Sequence, residues 1–126
     1  MRDFRSLKVW EKSHGLTLKI YRVTDTFPKH EIYGITSQIR RAAVSIPANI
    51  AEGSGKDSDA ELKRYILIAM GSSSELEYLL LLAHDLNYFS TSDYQELQDS
   101  LIEIRKMLNA FIQKLKPAHL MLTTKR

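Results

Sequence analysis

Ser45, Asn49 and Glu52 stand at i, i+4 and i+7 in the stretch Gln38–Gly55, QIRRAAVSIPANIAEGSG, so a helix would put all three on one face. A hydroxyl nucleophile served by a carboxylate base would use such residue types. The spacing defeats that reading, because positions 45 and 52 of a helix lie ~10 Å apart along its axis. His14, His30, His84 and His119 are scattered, and none forms the Glu-x-x-His pair of a di-metal bundle core. The chain has no cysteine, which removes thiolate metal sites, disulfides and a cysteine nucleophile. Gly53-Ser54-Gly55 follows a predicted helix and not a strand, so it is no phosphate loop. These residues point to a non-enzyme with no catalytic residue, metal or cofactor.

The charged residues are more informative. The net charge is +3, but residues 1–56 hold ten Lys/Arg against five Asp/Glu (+5), and residues 57–126 hold eight against ten (−2). Arg40 and Arg41 flank the apolar positions Ile39 and Ala42, and so belong outside the bundle or in an interface. With Lys8, Lys12, Lys19 and Arg22 they would form a basic stripe able to follow phosphates. No aromatic residues are interleaved with them in the pattern of a single-strand platform, so binding to the backbone without base readout is expected. The competing reading pairs Arg40 or Arg41 with a carboxylate of a neighbouring helix or subunit.

Four helices must position these side chains. Val9, Ser13, Leu16, Ile20, Val23 and Phe27 repeat every three or four residues, which predicts a helix over about 5–27, ended at Phe27-Pro28. Ile32, Ile35, Ile39, Ala42, Ile46, Asn49 and Gly53 predict a second over 32–52, closed by Gly53-Ser54-Gly55 as cap and turn. Gly15 weakens the first helix and hints at a close contact there. Ser58 with Glu61 is a capping box opening a third helix, 58–86, after which Asn87 is a C-cap and Ser90 or Thr91 an N-cap. Leu97, Leu101, Ile104, Leu108, Phe111 and Leu115 predict a fourth over 91–116, ended by Pro117, with a tail over 117–126 that either docks as an extra turn or is disordered, disorder being favoured beyond Leu122. Short connections make this an all-α, antiparallel up-down-up-down four-helix bundle in one domain, 1–126.

Pro47 lies inside the second helix, where it deprives the carbonyl of Ala43 of its donor and normally costs ~3 kcal/mol. Ser45 and Asn49 are expected to satisfy the disturbed backbone, Asn49 also fixing register, so Ser45, Pro47, Asn49, Glu52 and Gly53 read as a structural motif. Gly71-Ser72-Ser73-Ser74 would face the Ile39–Ala43 region, and Glu75, Glu77 and Asp85 would form a solvated acidic face.

Apolar residues exceed what four seams can hide: Leu18, Leu67, Leu79, Leu81, Leu82, Ile102, Met107 and Ile112 remain, which argues for an oligomer. No run approaches the ~18 apolar residues of a membrane span. The charged beginning, MRDFRSLKVWEK, and the missing cysteines make a cytoplasmic location the expectation.

QIRRAA followed by SIPANIAEG resembles the signature of the 23S rRNA intervening-sequence protein family. Leu7-Lys8-Val9-Trp10, Phe27-Pro28, Tyr33-Gly34, and Ile68-Ala69-Met70-Gly71-Ser72 with Glu75-Leu76-Glu77 extend the likeness over roughly residues 4–115. The resemblance implies a homopentameric ring of bundles. A similar protein, the accessory variability determinant of diversity-generating retroelements, joins a basic pentameric barrel to RNA and a reverse transcriptase. An RNA-binding accessory protein is therefore one expectation, and a structural or protein-binding scaffold is the other.

Overall fold

The structure is a computed structural model that describes residues 2–124, with side chains described through Leu115. Four helices follow in order, α1 (Lys8–Thr24), α2 (Ile35–Ser54), α3 (Asp59–Asp85) and α4 (Thr91–Thr124). Short 3-10 turns lie at Phe4–Ser6 and Lys29–Glu31, and no strand occurs among the described residues. One core holds them, built from Leu16 and Ile20 of α1, Ile39 and Ile46 of α2, Ile66 and Leu76 of α3, and Leu101 and Leu108 of α4. Helical periodicity therefore read the seams correctly in outline, with two local exchanges. Ile50, and not Asn49, is the buried residue of α2, and Ile112 is buried where Phe111 is half-buried.

The helix ends show where local chemistry overrides periodicity. Ser58 caps α3 by accepting from the Glu61 backbone N–H at 3.1 Å, although the Glu61 side chain turns to Arg64 instead of closing the box. Asn87 sits just past α3 at φ 62°, and the N–H groups of Tyr88 and Asn87 reach the carbonyls of Ala83 and His84. That is a Schellman ending, which asparagine tolerates better than most residues. Ser90 accepts from the Asp93 N–H at 3.0 Å and opens α4. α1 stops at Thr24, three residues before the expected end, and Lys29–Glu31 forms a 3-10 turn. α2 starts only at Ile35, because Gly34 has ψ −120°, outside the helical region, and this leaves Ile32 exposed and not in the seam.

The glycines depart from expectation. Gly53 and Ser54 belong to α2, and no glycine among the described residues has a positive φ. Gly53 serves close packing instead, since a Cβ there would lie 2.7 Å from the Cβ of Tyr65 on α3. Gly15 has open space around it, so no contact among the described residues needs it.

α2 runs unbroken through the buried Pro47. The donor for the freed Ala43 carbonyl comes from α1, as the Thr17 hydroxyl donates to it at 3.2 Å. Ser45 and Asn49 do something else. The Asn49 amide donates to the Ser45 carbonyl at 2.8 Å and to its hydroxyl at 3.0 Å, and that hydroxyl meets the Ser72 hydroxyl at 2.7 Å. Ser72 thus faces Ser45, further along α2 than the expected Ile39–Ala43. Glu52 is exposed.

α4 also continues through a proline, Pro117, where a helix end was expected. The ring removes one donor, to the carbonyl of Gln113, while Leu, Met and Ala on the far side are good helix formers. Residues 125 and 126 of the expected tail, and the side chains from 116 onward, including His119, lie outside the described residues. By length and composition α3 is apolar enough to cross a bilayer, contrary to expectation. It nevertheless contributes seven buried apolar residues to the core, and Leu67, Ile68, Tyr78 and Leu81 are exposed.

Candidate functional site

The six cations singled out from sequence do not form one stripe. Lys12 pairs with Glu103 at 3.1 Å, and Lys19 pairs with Glu96, both carboxylates belonging to α4. Lys8 is exposed near the start of α1 and borders a cleft of about 520 Å3 with Arg2 and Lys114. Arg22 and Arg41 are exposed, with no carboxylate within ion-pair distance among the described residues.

Arg40 is held. Its Nε donates to the Thr24 hydroxyl at 2.9 Å, one terminal nitrogen donates to the Tyr21 carbonyl at 3.3 Å, and its guanidinium carbon lies 4.7 Å from the centre of the Tyr21 ring. Both oxygens belong to the last turn of α1, where a cation also complements the helix dipole. Arg40 therefore meets neither solvent alone nor a carboxylate; it packs across the α1–α2 joint. Three of its five N–H groups remain after those two bonds.

This joint carries an arrangement the sequence pattern hid. Tyr33, 95% exposed in the turn before α2, borders a shallow cleft of about 450 Å3 with Tyr21, Arg40 and Arg41. Ile32 and Arg40 also line an adjoining cleft of about 340 Å3, whose walls include Phe27, Lys29 and Thr36. Aromatic rings and guanidinium groups thus share one corner. The signal was a tyrosine beside a glycine in a turn, seven and eight residues from the arginine pair, and only the fold closes that gap.

A half-buried frame supports the corner. The Tyr88 hydroxyl donates to Glu31 at 2.8 Å, and Glu31 also accepts from the Ile35 backbone N–H, at 3.4 Å. The Tyr88 bond, more than the backbone one, holds the Glu31 carboxyl below its usual range, and the same bond pushes the Tyr88 phenol up. Behind it, Phe27 packs on Tyr88 and Phe89 at ring separations of 5.4 and 5.5 Å.

Elsewhere several polar groups have structural partners. Glu77 is half-buried and bonded to Arg105 at 2.6 Å, so the expected solvated acidic face is partly an α3–α4 tie. His14 stacks on Trp10 and His84 on Tyr94. No group of three potential metal ligands occurs among the described residues.

The family model of the 23S rRNA-intervening sequence protein matches residues 5–110. A solved structure with a TM-score of 0.75 is a protein of unknown function from the S23 ribosomal protein family of Bacteroides thetaiotaomicron. The two chains are 28% identical, and the match covers 82% of this chain and 97% of that one. No curated protein matches. With a match that spans most of its length and every block of residues noted above up to position 110, this four-helix chain belongs to the 23S rRNA-intervening sequence protein family.

Proposed function

We propose that this chain is a non-enzymatic RNA-binding accessory protein that works as a homo-oligomer of antiparallel up-down-up-down bundles in the cytoplasm. The observation that carries the RNA reading is the corner where Arg40 and Arg41 lie beside exposed rings, with no carboxylate among the residues lining the Tyr33 cleft. A guanidinium fixed in place before the ligand arrives loses little freedom on meeting a phosphate. Lys8 and Arg22 add positive charge elsewhere on the first half of the chain. Lys12 and Lys19 contribute less, because α4 carboxylates offset them.

Oligomerisation is supported by the outward side of α3, where Leu67, Ile68, Tyr78 and Leu81 are exposed on one helix. A pentamer is the number that the family resemblance implies. The same exposed residues support a second reading, a scaffold that binds protein and not RNA. Binding of the nuclease-treated protein to a structured RNA across a salt series, with its mass in solution recorded in parallel, separates the two. Affinity falling linearly in log–log form with salt, by about 0.7–0.9 per phosphate contact, supports RNA. An oligomer that binds no RNA at low salt overturns that reading and leaves the scaffold.

A further inference from the structure

We propose that the corner between the end of α1 and the start of α2 is a platform for single-stranded RNA, with a base stacked on Tyr33 and the adjoining phosphates on Arg40 and Arg41. This rests on the RNA reading above and names the form of RNA that the site accepts. Three independent features converge there. Tyr33 is an almost fully exposed ring on a short turn, and nothing in the packing of the chain requires it. A base has a π face whatever its sequence, so such a ring accepts any unpaired base but cannot reach one inside a duplex. Arg40 stands over Tyr21 with three N–H groups uncommitted, and Arg41 is exposed on the next position.

The third feature is Thr36. It is 2% exposed and lines the cleft beside Arg40, yet its hydroxyl is buried with no hydrogen-bond partner among the described residues. A buried polar atom without a partner is costly, and native proteins rarely keep one for nothing. Opening of the cleft around an RNA would let a ribose hydroxyl or phosphate oxygen complete it. The two adjoining clefts, about 340 and 450 Å3, are each of small-ligand size, and they meet at Ile32 and Arg40. That geometry suits successive nucleotides. Among the described residues Asp25 is the one carboxylate lining either cleft, and it lines the cleft that Arg41 does not.

The test compares an unstructured oligouridine with an RNA duplex of equal length, using the full chain. Tyr33→Ala should weaken oligouridine binding roughly 5- to 100-fold, as expected for one lost stack, and leave duplex binding unchanged. Tyr33→Phe should keep the affinity. Arg41→Ala should flatten the single-strand salt slope by about 0.7. Thr36→Val should raise thermal stability while lowering oligouridine affinity, a combination that a purely structural threonine would not give. Equal losses for both RNAs, no loss with Tyr33→Ala, or a changed mass in solution for that variant would overturn the platform. Wild-type protein that binds duplex at least as well as oligouridine sinks this inference alone. Wild-type protein that binds neither sinks the RNA reading with it.

Discussion

Replacing Thr17 by valine should destabilise the protein only as long as Pro47 is present. Thr17 is 8% exposed, and its single hydroxyl proton is shared between two acceptors, the Ser13 carbonyl at 2.8 Å and, as the longer arm, the Ala43 carbonyl at 3.2 Å. The first already receives the helical N–H of Thr17, so losing the hydroxyl there matters little. The second has no helical donor because residue 47 is proline. Valine has nearly the same shape, so the change isolates one hydrogen bond and strands a buried carbonyl, which costs ~1–3 kcal/mol. For a chain of this size that is about 4 °C of melting temperature per kcal/mol. Pro47→Ala restores an N–H facing Ala43. It gains part of the ~3 kcal/mol that a helical proline costs and loses about two buried methylenes, ~0.8 kcal/mol each, for a net change near zero or slightly stabilising. In that background Thr17→Val should cost little, giving a coupling of roughly 1–2 kcal/mol in a double-mutant cycle. Urea unfolding followed by far-ultraviolet circular dichroism, at one protein concentration throughout, measures all four variants. Equal costs with and without Pro47 would show that Thr17 does not compensate for the proline.

Other outcomes follow from the same contacts. Arg40→Ala should lower stability by about 1 kcal/mol through the lost bonds to Thr24 and Tyr21, whereas Arg41→Ala should stay within ~0.5 kcal/mol of wild type, both read by urea denaturation. Gly53→Ala should destabilise by ~1–3 kcal/mol, since its Cβ would press on Tyr65, while Gly15→Ala, facing open space, should stabilise by up to ~1 kcal/mol; thermal melts decide the sign of each. Because Glu31 titrates below its unfolded value, its contribution is present above the ordinary carboxylate range and is lost as pH falls through the lowered folded value. Tyr88 titrates above its unfolded value, so its contribution is present below the ordinary phenol range and fades as pH rises through the raised one. Tyr88→Phe should therefore raise the Glu31 titration midpoint seen by carboxyl NMR, and an unmoved midpoint would rule out the bond.

Much of the helical framework was legible because it is local. The Ile39–Ala42–Ile46 seam, the Ser58 cap and the turn at Asn87 are each decided within a few residues, and sequence spacing records them. What escaped reading depends on partners distant in the chain. Thr17 lies 26 residues from the carbonyl it completes. Gly53 looked like a helix stop because glycine often is one; only the approach of Tyr65 shows that it makes room. Asn49 fell on the seam by counting, but Ile50 took the core position and left the amide to Ser45. The basic stripe failed for the same reason, since sequence gives charges on α1 without showing that Glu96 and Glu103 of α4 face two of them. The turn at Gly34 brings Tyr33 to the cleft that Arg41 lines, a relation that eight residues of sequence do not record.

The beginning of the chain is anchored at the far end of α2, where the Arg2 backbone N–H donates to the Ser54 carbonyl at 2.8 Å. From Ile35 to Ser54 the helix rises ~28 Å, at about 1.5 Å per residue. An affinity handle or fluorophore joined just ahead of Arg2 would thus leave the molecule beside Ser54 and stand roughly that distance from Tyr33. Protein tethered to a sensor chip in this way would present its α1–α2 corner to the flowing solution, while a handle inserted in the turn before α2 would cover it.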